Sequence, residues 1–135
     1  MEEKKNETPL KELLIKSEEI NERLLTDILK PYALIEEGTG ELIPTENFGS
    51  LQAEGKIIVV FLYSKAKFRL GFSSSEKLKP RDVENLVGLK GNTVRPILKK
   101  LKEANLIKAD EEGYWLPNIN INRAKEFLTN LKVKK

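Results

Sequence analysis

Apolar residues recur at helical spacing along most of this chain, and the places where that spacing fails mark its joints. In residues 91–106, set at 100° per residue, Val94, Ile97, Leu98, Leu101 and Asn105 fall on one side. Asn92, Arg95, Lys99, Lys102 and Glu103 fall on the other. The pattern predicts an amphipathic helix started by Asn92 or Thr93 as cap, with Pro96 in or beside the first turn, where a missing N–H costs least. Just upstream, residues 80–87 place Val83, Leu86 and Val87 on one side, begin with proline and end at Gly88. Glycine there can take the left-handed conformation that closes a helix. Two such helices joined by Gly88-Leu89-Lys90-Gly91 predict a helix-turn-helix. Residues 106–109 and 114–116 flank Asp110-Glu111-Glu112-Gly113, a turn-rich connection that predicts a hairpin. Pro117 then breaks the strand, and Asn118 or Asn120 can cap a last helix over residues 121–131, with Ala124, Phe127, Leu128 and Leu131 inward.

Residues 57–63, Ile-Ile-Val-Val-Phe-Leu-Tyr, have the β-branched and aromatic composition of a buried strand. Ile58, Phe61, Leu62, Lys65, Ala66 and Leu70 nevertheless continue one helical stripe over a length no ordinary strand has, and Gly71 follows as a stop. The prediction is a helix, then a loop over residues 72–79 with a short edge strand near Leu78. Towards the start, Thr8-Pro9 opens a helix that can run to Lys30, stopped by Pro31. Leu10, Leu13, Ser17, Ile20 and Leu24 follow a heptad seam for two repeats, short of the three or four a coiled coil wants. Two uses of that stripe are open: packing on the chain's own core, or a homodimer through residues 8–30. Residues 32–35 and 41–43 bracket a small hairpin. Its loop, Gly38-Thr39-Gly40, lacks a P-loop lysine and sits among Glu36, Glu37 and Glu41, so it reads as a turn. Residues 1–7 read as a charged, frayed tail. The expected division is residues 1–49 as an N-terminal extension and residues 50–135 as a second unit.

Residues 93–101, the step Asn105-Leu106-Ile107 and the hairpin closing on Gly113-Tyr114 together resemble the winged helix-turn-helix domains of archaeal and bacterial transcription regulators. The likeness spans about residues 51–128 and is closest to an archaeal group of unsettled function. It implies a mainly α fold with a small β component: a winged helix-turn-helix preceded by a long N-terminal helix and a small hairpin. It also implies a recognition helix at about residues 92–105 lying in the DNA major groove. Winged helices serve as protein-docking modules as well.

Composition narrows the chemistry. The 135 residues include no cysteine and no histidine, which removes disulfides, thiolate nucleophiles, Cys/His zinc sites and histidine acid–base catalysis. No set of groups with a catalytic mechanism can be assembled from what remains, so catalytic, cofactor and metal residues are all expected to be none. The start is charged and followed by no apolar h-region, and residues 57–63 are too short a run to span a membrane, so a cytoplasmic location is expected. A third of the residues are charged and Gln52 is the sole glutamine, a balance like that of proteins from hot-growing organisms. The net charge of +3 is unevenly placed: residues 77–108 carry 9 positive and 3 negative side chains. Such a segment gives a polyanion an electrostatic footprint.

Within that footprint Arg95 and Asn92 have the readout chemistry, arginine for guanine and asparagine for adenine, with Thr93 beside them. Lys90, Lys99, Lys100, Lys102 and Arg81 suit phosphates of double-stranded DNA. The bland alternative is a solvated lysine face. Asp110, Glu111 and Glu112 at the hairpin tip would repel a phosphate backbone. Tyr114 and Trp115 beside that tip are therefore either core residues or a patch for a protein partner.

Overall fold

Residues 57–63 decide the architecture. Ile57, Ile58, Val59, Val60, Phe61, Leu62 and Tyr63 are all buried, on a helix running Ala53–Arg69. Strand propensity loses here for a backbone reason: a buried strand needs neighbours for its N–H and C=O groups, whereas a helix satisfies its own. A helix apolar all round its middle must in turn be covered on every side.

The computed structural model describes residues 8–14 and 21–133. A 3₁₀ turn at Pro9–Leu13 is followed by α1 (Glu22–Leu29), β1 (Ala33–Ile35), β2 (Leu42–Pro44) and α2 (Glu46–Gly49). The central helix is α3; after it come α4 (Pro80–Val87), α5 (Gly91–Glu103), β3 (Lys108–Asp110), β4 (Gly113–Trp115) and α6 (Ile121–Val133). The fold is mainly helical with two small antiparallel sheets, β1-β2 and β3-β4. Helices α1, α4, α5 and α6 and strand β1 pack on α3. Among the described residues no helix is long and apolar enough to cross a membrane.

The uninterrupted N-terminal helix expected over residues 8–30 is not formed. Thr8 caps the 3₁₀ turn, accepting from the Leu10 N–H at 3.4 Å, but Leu14 is already extended. A separate helix begins at Glu22, where the Asn21 side chain accepts from the Leu24 N–H at 2.9 Å. Asparagine at that position competes for the backbone and starts a new helix. Positions Ser17 and Ile20 of the proposed seam lie outside the described residues. Leu24 of the seam is half-buried against the chain's own core, where its neighbours Leu25, Ile28 and Leu29 are buried, while Leu10, Leu13 and Leu14 are exposed.

The first hairpin forms where expected, with Ala33 opposite Pro44 and Ile35 opposite Leu42. The Glu36 carboxylate accepts from the N–H groups of Gly38 and Thr39 at 2.7 Å each, which closes the turn and holds the carboxyl's pKa below its usual value. The loop docks on the central helix through the Tyr63 hydroxyl, which donates to the Gly40 carbonyl at 2.6 Å. One apolar cluster runs from Leu25, Tyr32 and Phe48 through α3 to Leu101, Leu116 and Leu128, so the core is continuous across residue 49.

The one charged side chain buried in α3 is Lys65, 1% exposed. Its ammonium donates to Glu76 Oε1 at 2.7 Å and to Asn118 Oδ1 at 2.5 Å, and Ser64 Oγ donates to the Glu76 carbonyl at 2.9 Å. Burial pulls the Lys65 pKa below its usual value against the opposing pull of Glu76. This node ties α3 to the segment before α4 and to the turn before α6. Removing the carboxylate strands a buried ammonium, so Glu76→Ala should lower stability in urea by about 3–5 kcal/mol. Adding Lys65→Met should return most of that loss. Equal stabilities for Glu76→Ala and the wild-type protein would show that the pair contributes nothing.

Candidate nucleic-acid interface

Helix α4 starts at Pro80, with the Lys79 N–H donating to Asp82 Oδ2 at 2.9 Å. Val83 and Val87 are buried and Leu86 is half-buried, the stripe its spacing predicts. Gly88 takes φ +73°, a left-handed conformation in which a Cβ is strained, and Leu89 packs back on the core.

The next helix begins earlier than its sequence suggests. Asn92 and Thr93 are not caps. Lys90 is the cap residue, without a side-chain cap bond, and Gly91 is the first residue of α5. Pro96 is therefore the sixth residue, and it denies the Asn92 carbonyl the N–H that a helix would supply. The helix tolerates this because Pro96 lies on its exposed side. Nor is Asn105 part of the apolar stripe. It stands beyond the helix end at φ +63°, exposed, with its N–H donating to the Lys102 carbonyl at 2.9 Å. That end is held from α6 and the turn before it: Arg123 donates to the Ala104 and Asn105 carbonyls at 3.0 Å each, and Asn120 donates to the Asn105 and Leu106 carbonyls at 3.0 and 2.9 Å. The carbonyls of Lys100, Leu101 and Lys102 in the last turn accept from the N–H groups of Ala104, Leu106 and Asn105, and the side chains take the carbonyls just past it.

Val94, Leu98 and Leu101 bury the inner face of α5. Asn92, Thr93, Arg95, Lys99, Lys100 and Lys102 are all exposed, as are Lys90 before the helix and Arg81 on α4. Two of these cations have carboxylate neighbours that sequence reasoning missed. The Arg95 side chain, 68% exposed, lies 3.9 Å from Glu84 of α4, and Lys100 Nζ lies 3.0 Å from Glu54 of α3. Both contacts join residues on different helices. Only the packing of α4 and α3 against α5 creates them.

The second hairpin pairs Lys108 with Trp115 and Asp110 with Gly113. Leu78 bridges to its outer side, with Leu78 N–H to Tyr114 O at 2.9 Å and Tyr114 N–H to Leu78 O at 2.8 Å, the short edge contact expected. Gly113 sits at φ +141°, and a Cβ there would lie 2.7 Å from the Leu78 carbonyl oxygen, so only glycine permits the bridge.

That register brings Lys77 to Trp115 and to the acidic tip. Lys77 Nζ lies 4.6 Å from the Trp115 ring centroid, 2.6 Å from Asp110 Oδ2 and 3.4 Å from Glu112 Oε1. Two of the three tip carboxylates thus share a cation, and Glu111 has no such tie in this cluster. Tyr114 and Trp115 are both half-buried, Tyr114 against the core. Among the described residues no group of three or more aspartate, glutamate, histidine or cysteine side chains is gathered as a metal ion would need.

The hydrogen bond from Lys77 lowers the Asp110 pKa below 3.8, and the same bond raises the Lys77 pKa above 10.5. The pair's contribution is complete between those two ordinary values. It is lost as pH falls below 3.8 through the lowered aspartate value, or rises above 10.5 through the raised lysine value. Asp110→Asn keeps the turn's acceptor and removes the charge. Its thermal midpoint should lie below that of the wild-type protein near neutrality, with the gap narrowing at both extremes; a gap independent of pH would rule the ion pair out as its source.

Comparison with protein families, with curated proteins and with solved structures finds no match for this chain.

Proposed function

We propose that this chain is a winged-helix DNA-binding protein, a transcription regulator or chromatin-associated factor, whose helix α5 lies in the major groove of double-stranded DNA. The observation that carries the reading is the outer face of α5. Asn92, Arg95, Lys99 and Lys102 recur on it at intervals of three and four, exposed, with Lys90 and Arg81 flanking. The three-element setting supports it: α4 precedes and packs on α5, the hairpin follows, and Leu78 adds a single bridge to the edge of that hairpin. In this reading Arg95 and Asn92 address base edges and the lysines and Arg81 address phosphates. Glu84, beside Arg95, is an orienting partner that a guanine edge would displace or share.

The second reading is a winged helix that docks on protein within a transcription or replication assembly. The hairpin favours it, because Asp110, Glu111 and Glu112 outnumber Lys77 at the tip and the half-buried Trp115 stands beside them. A hairpin of that charge is turned away from phosphate in the DNA reading.

Titration with duplex DNA at two salt concentrations separates the two. Each phosphate neutralised releases condensed counterions, so log affinity should fall against log salt with a slope of about −0.9 per contact. Arg95→Ala should cost about 1–3 kcal/mol on a preferred duplex and flatten the preference, whereas Lys102→Ala should weaken all duplexes alike and reduce the slope by about one. No binding at low salt removes DNA as the partner. If both substitutions weaken binding without touching preference, Arg95 is a phosphate contact and the protein a non-specific architectural binder.

A further inference from the structure

Among the described residues, two apolar surfaces stand out. One is a groove of about 420 Å³ between α1, β1 and the end of α3, floored by Leu25, Leu29 and Ala33 and flanked by Leu34 and Leu70. Its rim carries Glu22, Lys30 and Arg69, with Arg69 Nη2 3.1 Å from Glu22 Oε2. The other is the 3₁₀ turn and the residue after it, where Leu10, Leu13 and Leu14 are 67%, 77% and 72% exposed. Scattered exposed leucines need no explanation, but three within five positions form a patch.

We propose that the groove takes the Leu10, Leu13 and Leu14 side chains of a second copy of this chain, each copy lending its N-terminal segment to the other. The charges agree with that occupant. Lys11 and Glu12 lie between the leucines; Glu22 and Arg69 on the rim pair with each other, and Lys30 is placed to meet Glu12. The segment is also partly ordered in advance, by the Thr8 cap and the fixed φ of Pro9, which lowers the entropy lost on docking. Among the described residues of one chain, the three leucines are exposed rather than packed into the groove. A reciprocal exchange makes the contact twice about one two-fold axis, the commonest symmetry of homo-oligomers. The homodimer is then a segment exchange rather than a helical seam through residues 8–30, because the extended backbone of Leu14 interrupts the helix that seam would need. This proposal rests on the two apolar surfaces alone and stands or falls without DNA.

The absence of native cysteine makes the test clean. Full-length protein carrying Leu13→Cys and Leu34→Cys together is oxidised mildly at micromolar concentration, and its 13–34 disulfide is mapped after digestion. The expected product is a covalent dimer of twice the 15.4 kDa chain mass, linked 13–34 between copies. Wild-type protein should sediment as a dimer, and Leu34→Glu, a change at an exposed position, should sediment as a monomer with an unchanged circular dichroism spectrum. A 13–34 disulfide within a single chain would place the segment in its own groove and overturn the proposal. So would wild-type protein that is monomeric at every concentration, or a dimer unaffected by Leu34→Glu.

Discussion

A helix with no wet face over its middle two turns is the constraint on which the rest of this structure depends. Ile57 to Tyr63 are buried on every side of α3, and each large apolar side chain withdrawn from water contributes about 1.5–3 kcal/mol. That gain is realised only if something covers each side. Helices α1, α4, α5 and α6 and strand β1 supply the cover, and their own amphipathic stripes have no other place to go. What looks like an N-terminal extension in the sequence is therefore part of the same core.

The polar contacts decide how the covering elements are oriented. Lys65 fixes Glu76 and Asn118 at one end of α3, and Tyr63 fixes the Gly40 loop. The far end of α5 is gripped by Asn120 from the turn before α6 and by Arg123 from its first turn. Helix α5 is thus held by its buried face, by the tight turn at Gly88 and by its carbonyl end, which leaves its basic face outward on a rigid support. Rigidity matters for any ligand of that face, because side chains on a fixed helix lose less entropy on binding than side chains on a loop.

Much of this was legible along the chain and some was not, for physical reasons. The α3 helix was readable because its stripe outlasted any strand, even though residues 57–63 taken alone favour a strand. Both hairpins and α4 were readable from turn chemistry. The start of α5 was misplaced because Asn92 and Thr93 have cap chemistry, whereas the tight turn through Gly88 brings the chain into helix already at Gly91. The break at Leu14 is hidden in the sequence because leucines continue on both sides of it. The exposed candidate residues followed from periodicity, but their neighbours did not. Glu84 beside Arg95, Glu54 beside Lys100 and Lys77 beside Asp110 are contacts between separate elements. Lys77 alone had a signal: pairing Leu78 with Tyr114 antiparallel puts residue 77 opposite Trp115.

The central claim, that the outer face of α5 meets duplex DNA, is tested most directly by following the backbone amide resonances of ¹⁵N-labelled protein as a short duplex is added. The account predicts that the largest shifts cluster on residues 90–102 and near Arg81, with the tip at Asp110, Glu111 and Glu112 little changed. Shifts confined to the hairpin or to the N-terminal groove, or no shifts at low salt, would contradict it.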